Sequence, residues 1–217
     1  MKFTLKLSAA LLLSILFAAG FGLVALLVGY HRLNVFDRSV IRYVQGFESP
    51  TLSHVMKFFT AVGAGLPVTA IAVTIVLLLF FVLKHRRELI LFVFVLGGSQ
   101  LLNVILKLLF HRERPDIHRI IQAAGYSFPS GHSMGAFSLY GVSAYLLWKH
   151  IPARWGRAIL IAASFALVLA IGVSRIYLGV HYPSDVIGGY LASGFWLASS
   201  IWVYRKYDKR RAHPEKS

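Results

Sequence analysis

Long apolar runs, each about as long as a lipid bilayer is thick, constrain this chain more than any other feature. These runs lie at about 7–29, 62–83, 89–110, 131–148, 158–178 and 186–204. An α-helix of about 20 apolar residues crosses the hydrocarbon core of a membrane and satisfies its own backbone hydrogen bonds there. We therefore predict an all-α, polytopic membrane protein in which six transmembrane helices form a single domain over residues 1–217.

The composition agrees with a membrane protein. The chain is 57% hydrophobic and only 14% charged, and its mean hydropathy is +0.67. A net charge of +15 could indicate nucleic-acid binding, but Lys and Arg lie in short segments between the apolar runs and not on one soluble face. Anionic lipid headgroups and cytoplasmic retention of loops explain such segments better, so no nucleic-acid partner is expected. Cysteine is absent, which excludes a disulfide framework and a thiolate metal site.

The first apolar run combines features of a signal peptide and of a membrane span. Lys2 and Lys6 precede it, and Ala18-Ala19-Gly20 resembles a cleavage site. The apolar run nevertheless continues to bilayer length, which favours an uncleaved first span.

A mixed segment follows at residues 31–56. Its apolar residues recur at spacings of three and four, namely Leu33, Phe36, Val40, Val44 and Phe47. The charged residues Arg32, Asp37, Arg38 and Arg42 lie between them, and this pattern is typical of an amphipathic helix. We predict an interfacial helix between spans 1 and 2 that packs over the bundle.

The distribution of Lys and Arg predicts the orientation. Of the 23 basic residues, 14 lie at the N-terminus, in the short 84–88 and 149–157 turns and in a basic tail at 205–217. The remaining basic residues are spread over longer segments on the other side. The positive-inside rule therefore places both termini and the tail in the cytoplasm. The 111–128 loop, the helix start at Ser130 and the 174–185 turn then share the outer face of the cell membrane.

Three segments on that predicted outer face carry residues that suit a phosphate ester: Lys107–Pro115, Pro129–His132 and Ser174–Asp185. The charge on non-bridging phosphate oxygens is neutralised best by Arg, as a bidentate fork, and by Lys, as a point charge. We therefore predict that Lys107, Arg114 and Arg175 bind phosphate. Ser130 and the backbone N–H groups near Gly131 would add neutral donors at a helix N-terminus.

Two histidines in these segments can divide the chemistry of phosphoryl transfer. The reaction needs a nucleophile and a proton donor for the leaving oxygen. His181 and Asp185 are four residues apart, so they share one face of a helical turn, where the carboxylate can orient the imidazole. We assign His181 as nucleophile, Asp185 as its partner and His132 as general acid. The expected intermediate is a phosphohistidine that water hydrolyses.

The three segments together resemble the signature of the type 2 phosphatidic acid phosphatase family, which is related to vanadium-dependent haloperoxidases. That signature reads Lys-x6-Arg-Pro, then Pro-Ser-Gly-His, then Ser-Arg-x5-His-x3-Asp, and every signature residue is present here in this order. The resemblance implies a six-helix membrane fold and a phosphatase that uses no metal ion or other cofactor. It implies the same catalytic roles for His181, His132 and Asp185, and phosphate contacts for Lys107, Arg114, Ser130, Gly131 and Arg175.

The resemblance leaves several substrates open. Short loops favour an amphiphilic substrate, and within the family undecaprenyl diphosphate and phosphatidylglycerophosphate fit such a chain best, with phosphatidic acid as an alternative. The outward-facing site favours undecaprenyl diphosphate. Phosphotransfer to an acceptor other than water would use the same residues.

Two further alternatives involve different chemistry. A lipid transporter or lipid-binding membrane protein would not require the combination of His132, His181 and Asp185. A zinc site that includes His111 and His118 is disfavoured because Arg residues lie in the same loops.

Overall fold

The structure is a computed structural model that describes residues 2–63 and 65–212, with side chains described from residue 9 to residue 208 except at 64. The described residues form helices and no β-strand, which confirms the all-α class. The α-helices are α1 (Lys2–Gly29), α2 (Asn34–Gln45), α3 (Pro50–Val62), α4 (Gly65–Leu77), α5 (Arg86–Phe110), α6 (Gly131–Leu147), α7 (Arg154–Tyr177) and α8 (Pro183–Ala212). A π-helical segment, Leu78–Val82, continues α4, and a 3-10 turn, Trp148–His150, extends α6.

Five of the described helices are long and apolar enough to cross a membrane: α1, α4 with its π-helical segment, α5, α7 and α8. This makes the chain a multi-pass membrane protein. Helix α6 has 17 residues, at the short end of the roughly 17–25 residues of membrane spans. It packs against α5, α7 and α8. A sixth span at α6 therefore stays a prediction.

Helix α1 packs along α8 and is part of the bundle. Ser14 and Ser199 share a hydrogen bond of 2.6 Å between these helices. A Cβ atom added at Gly194 would lie 2.7 Å from the Phe17 ring, so the small residue permits the close approach. Phe21 of α1 also stacks on Phe128, with 5.8 Å between ring centroids, and so contacts the loop that precedes α6.

Two helices occupy the segment that was predicted to contain one interfacial helix. Ser49 accepts a hydrogen bond from the Leu52 N–H at 3.2 Å and caps α3, whose first residue is Pro50. Both α2 and α3 pack against α7. Their position at a membrane interface stays a prediction.

The buried residues of α2 include a carboxylate. Asp37 and Ile41 are fully buried, whereas Phe36 is 43% exposed and Phe47 is 59% exposed. Beside a bilayer an apolar side chain can face lipid, but a carboxylate is costly there and requires polar partners inside the protein. Leu33 and Val44 of the same apolar stripe pack against buried residues, so the stripe lies only partly against the protein.

Helix α8 extends farther than the predicted last span. It continues to Ala212, so the basic tail predicted from residue 205 is helical in its described part, and residues 213–217 lie outside the described residues. The bundle has two distinct ends. We call the end that contains Lys107, His132, Arg175 and Asp185 the site end. We call the opposite end, with Arg87, Lys149, Arg154 and Arg205, the basic end.

Candidate active site

The four helix termini at the site end bring the signature segments together. Lys107 lies in the last turn of α5 and Arg175 in the last turn of α7, while His132 and Asp185 lie in the first turns of α6 and α8. Because α5 and α7 end, and α6 and α8 begin, at the site end of the bundle, these four termini lie close together. A cavity of about 520 Å³ opens there, and six of the eight predicted site residues line it: Lys107, Arg114, Gly131, His132, Arg175 and His181.

A tight turn after α7 delivers His181 to the cavity. Gly179 has a φ of +72°, and a Cβ atom at this position would lie 1.8 Å from the carbonyl oxygen of His118, so glycine fits both the backbone and the space. The backbone N–H groups of Val180 and His181 both donate to the Arg175 carbonyl, at 3.2 and 3.3 Å. The turn thus fixes the position of His181 relative to the end of α7.

Asp185 lies behind His181 and is fully buried. Its Oδ2 atom lies 3.3 Å from His181 Nδ1 and accepts hydrogen bonds from Ser127 Oγ at 2.5 Å and from the Tyr182 N–H at 2.8 Å. The bond from Tyr182 caps the start of α8, where the helix dipole favours a carboxylate. Asp185 therefore caps the helix and orients the imidazole at the same time.

The hydrogen bonds of His181 identify its tautomer. Arg114 Nη1 lies 3.2 Å from His181 Nε2, and a guanidinium can only donate. Nε2 must then be the acceptor, and the N–H of the neutral ring is on Nδ1, facing Asp185. This is the tautomer that a nucleophilic Nε2 needs.

Burial controls the charge of His181. The side chain is 1% exposed, and desolvation lowers the pKa of His181 from 6.5 to about 4, although Asp185 acts in the opposite direction. The nearby Arg175 and Arg114 also lower this pKa. The imidazole is thus neutral at pH 7, as a nucleophile must be.

Backbone carbonyl groups hold Arg114 in place. It donates to the carbonyl oxygens of Ala124, Gly125 and Val180 at 2.8, 2.9 and 2.8 Å. These bonds fix the 123–126 loop against the turn that carries His181. Burial lowers the pKa of Arg114, yet a guanidinium remains protonated at neutral pH.

Arg175 is buried, with 4% of its surface exposed. Its Nη1 atom donates to Thr60 Oγ1 of α3. Its Nε atom is buried and has no hydrogen-bond partner among the described residues. A buried charged donor without a partner is costly, so the charge of Arg175 is incompletely compensated in this structure.

The structure separates Ser130 from the other predicted phosphate ligands. Ser130 is fully buried and does not line the cavity. Its Oγ atom accepts from the Ser133 N–H at 3.4 Å as the N-cap of α6, and its own N–H donates to the Asp185 carbonyl at 3.0 Å. Ser130 thus connects the starts of α6 and α8 in this structure, and its contact with phosphate stays a prediction.

Four polar residues beside the site were not assigned from the sequence: Asp37, Thr60, Arg112 and Ser127. Arg112 and Ser127 lie within or next to the signature segments, but no spacing rule indicates that both contact Asp185. Asp37 and Thr60 come from α2 and α3, far from the signature in sequence. Only the packing of these helices on α7 and α8 brings them to the site.

The histidines of the site-end loops do not form a metal-ligand group. Among the described side chains, the residues with such geometry are His85, Glu88 and His150, which lie at the basic end. Lys149 already pairs with Glu88 there.

Comparisons with known proteins agree with this geometry. The family model of the PAP2 superfamily matches residues 88–211. Phosphatidylglycerophosphatase B of Bacillus subtilis is 37% identical over 156 residues, which cover 71% of this chain and 76% of that protein. Undecaprenyl-diphosphatase BcrC of Bacillus subtilis is 30% identical over 143 residues, 63% of this chain and 67% of that protein. The crystal structure of a transmembrane PAP2 type phosphatidylglycerolphosphate phosphatase from Bacillus subtilis superimposes with a TM-score of 0.81 at 30% identity, covering 91% of this chain and 96% of that one.

A multi-pass helical bundle with a cationic, histidine-containing cavity at one end, together with these relatives, defines a membrane-bound lipid phosphatase. The chain belongs to the PAP2 superfamily. The resemblance seen in the three sequence segments is thereby confirmed, and the protein is a hydrolase of lipid phosphates.

Proposed function

We propose that this protein removes the terminal phosphate of a lipid (di)phosphate at the outer face of the cell membrane, through a phosphohistidine on His181 and without a metal ion. The observation that carries the proposal is one cavity whose lining brings Lys107, Arg114 and Arg175 together with His132 and His181. The described residues of the cavity lining include three cations and no carboxylate, which suits an anion. These cations can stabilise transferring phosphoryl oxygens, a task for which other phosphatases use metal ions.

The proposed reaction has two steps that balance in atoms and charge. In the first, the Nε2 lone pair of His181 attacks phosphorus, the bond from phosphorus to the leaving oxygen breaks, and His132, which enters this step as an imidazolium, gives its proton to that oxygen and becomes neutral. In the second, water attacks phosphorus while His132 takes a proton from it, the P–N bond breaks, and inorganic phosphate leaves. Asp185 supports the positive charge that the His181 ring acquires.

Arg114 has to change partner before the first step. Its Nη1 atom lies 3.2 Å from the Nε2 lone pair that would attack phosphorus. A phosphate oxygen is a stronger acceptor for a guanidinium than a neutral imidazole nitrogen. We infer that substrate draws Arg114 toward phosphate and so frees Nε2 when the reacting group is in place.

The charge at the two ends of the bundle supports an outward-facing site. At the basic end, Arg87 pairs with Asp208 at 2.7 Å and Arg205 donates to the Tyr145 hydroxyl at 3.2 Å. Basic residues of the 84–88 turn, the 149–157 turn and the end of α8 therefore gather on one side. The positive-inside rule assigns that side to the cytoplasm, and the site end to the opposite side.

Two lipids are candidate substrates. The predicted outward-facing site favours undecaprenyl diphosphate, and a relative named undecaprenyl-diphosphatase is consistent with it. Phosphatidylglycerophosphate is favoured by a different observation, since the relative at 37% identity and the structure at a TM-score of 0.81 both have names that refer to this lipid.

A phosphate-release assay on purified protein in detergent tests the function. The panel contains undecaprenyl diphosphate, phosphatidylglycerophosphate and phosphatidic acid, each with and without EDTA. We expect release from at least one lipid at a rate that EDTA does not change, and the ratio of kcat/KM values identifies the preferred substrate. Loss of release in EDTA would refute the metal-free mechanism, and no release from any lipid would refute the proposed substrates.

The pH dependence of the reaction provides a second prediction. Only neutral His181 can attack, so activity falls when the ring is protonated on the acid side. With a pKa of about 4 in the free enzyme, the acid limb of kcat/KM should lie well below pH 6.5. The substrate phosphate itself titrates at about pH 6. Each kcat/KM value is therefore divided by the ionised fraction of the substrate at that pH, which leaves the titration of the enzyme. A corrected limb at or above pH 6.5 would contradict the desolvated nucleophile.

A further inference from the structure

A chain of buried charges continues from the catalytic pair into α2. Arg112 Nη1 donates to Asp185 Oδ1 at 2.6 Å, and Arg112 Nη2 donates to Asp37 Oδ2 at 2.7 Å. The two carboxylates are fully buried, and the Arg112 side chain is 14% exposed. One guanidinium thus bridges a carboxylate of the interfacial segment and the carboxylate that orients His181.

Hydrogen bonds fix both carboxylate oxygens of Asp37. Its Oδ1 atom accepts from the Ser184 N–H at 2.9 Å, and its Oδ2 atom accepts from Ser184 Oγ at 2.6 Å. Arg112 Nη1 also donates to Ser184 Oγ at 2.7 Å, and the Arg112 guanidinium lies over the Tyr182 ring, with 4.1 Å from Cζ to the ring centroid. These contacts connect α2, the 111–128 loop and the first turn of α8.

Neither Asp37 nor Arg112 lines the cavity. Their direct connection to the predicted catalytic residues is the hydrogen bond from Arg112 to Asp185. The contacts divide the two Asp185 oxygens between partners: Oδ1 faces Arg112, and Oδ2 faces His181, Ser127 and the Tyr182 N–H. The bridge therefore determines which oxygen is presented to the nucleophile.

We propose that Asp37 and Arg112 are positioning residues for the reaction, with Arg112 orienting Asp185 and Asp37 balancing the charge of Arg112. The inference rests on the proposed phosphohistidine mechanism. On the Nδ1 side of His181, the carboxylates of Asp37 and Asp185 and the guanidinium of Arg112 leave one net negative charge. This charge is what the ring requires when phosphorylation makes it cationic.

The charge balance makes a specific prediction for Asp37→Asn. The substitution preserves shape but removes one negative charge, so Arg112 interacts with Asp185 alone and weakens its support of His181. The new amide also presents N–H donors to a guanidinium that can only donate. We expect kcat to fall about tenfold to a hundredfold, as for outer-shell carboxylates that orient histidine in metal sites, with KM changed less than threefold.

The double variant Asp37→Asn/Arg112→Met separates positioning from packing. It removes one positive and one negative charge, so Asp185 again provides the single negative charge beside His181. We expect its kcat to be at least fivefold above that of Asp37→Asn, a non-additive recovery that lost packing contacts cannot produce. A double variant at or below the kcat of Asp37→Asn, or an Asp37→Asn protein with the parent kcat, would overturn the proposal.

A matched control removes a buried carboxylate from the basic end. Glu88 is 6% exposed and pairs with Lys149, so Glu88→Gln should lower Tm in detergent while leaving kcat unchanged. Competition by inorganic phosphate measures the binding site separately, and Asp37→Asn should retain the parent inhibition constant. A changed constant would indicate that Asp37 acts on the phosphate site itself and would also overturn the proposal.

A readout without substrate distinguishes failure of this inference from failure of the proposed function. In ¹⁵N-histidine-labelled protein, His181 should carry its proton on Nδ1, and Asp37→Asn should weaken this preference whereas the double variant restores it. An unchanged His181 signal in Asp37→Asn would refute the positioning role, whatever lipid is hydrolysed. Absence of phosphate release by the parent protein, with the tautomer shift present, would refute the proposed function alone.

Discussion

His181→Ala is expected to lower kcat about a thousandfold or more for every lipid that the parent protein hydrolyses. A thousandfold loss corresponds to roughly 4 kcal/mol of transition-state stabilisation. The reason is covalent: without Nε2 no phosphohistidine forms, and direct attack by water lacks an oriented nucleophile. The measurement is phosphate release under single-turnover and steady-state conditions.

The control for this variant is His54→Ala. His54 lies on α3 and is exposed, outside the cavity lining, so its loss should leave kcat within twofold of the parent. Rapid alkaline quenching with ³²P-labelled lipid should trap an acid-labile phosphoprotein in the parent and none in His181→Ala. A His181→Ala protein with more than a hundredth of parent activity would rule out this residue as the nucleophile.

Arg175→Met is expected to lower kcat/KM by about a hundredfold to a thousandfold while Tm in detergent stays equal or rises. The activity falls because one buried charge-assisted donor to the phosphate is removed, an effect of the size seen at oxyanion sites. The stability does not fall because the lost group is a buried cation whose Nε has no partner among the described residues and that lies near Lys107 and Arg114. Replacement of a poorly compensated buried charge by a well-packed apolar side chain is often neutral or stabilising.

A role in phosphate binding predicts that kcat/KM falls while Tm does not, which a purely structural role would not produce. Arg175→Lys should recover part of the activity, since it keeps the charge but not the planar fork. Arg154→Met is the control, because Arg154 is exposed at the other end of the same helix and should leave kcat/KM unchanged. A large drop in Tm for Arg175→Met would indicate a structural role through Thr60 instead of a role in phosphate binding.

The sequence predicted the helical membrane class and the identity of the signature residues well. Both follow from local rules: apolar runs of bilayer length must be helical, and the three segments carry their chemistry at fixed spacings. His181 and Asp185 could be paired from sequence because a separation of four residues brings side chains together on a helical turn. The structure places them with 3.3 Å between Nδ1 and Oδ2.

The sequence was less informative wherever a residue could satisfy two rules. Ser130 fits both a phosphate donor and an N-cap, and in the structure its hydroxyl is used in the cap. Phe36 and Phe47 fit a buried helix face, yet lipid allows them to face outward. Helix α6 has many buried residues but is only 17 residues long, so its length alone does not decide whether it crosses the membrane.

By itself, then, the sequence determined that this chain forms apolar helices and that its family signature lies in residues 107–185, where we predict the phosphate chemistry. Only the tertiary structure decided that Asp37, Arg112, Ser127 and Thr60 belong to the surroundings of that chemistry. The physical reason is that the contacts of these four residues join helices or loops separated by 58 to 115 residues along the chain. No local periodicity encodes such pairings, which arise when buried charges find partners as the helices pack.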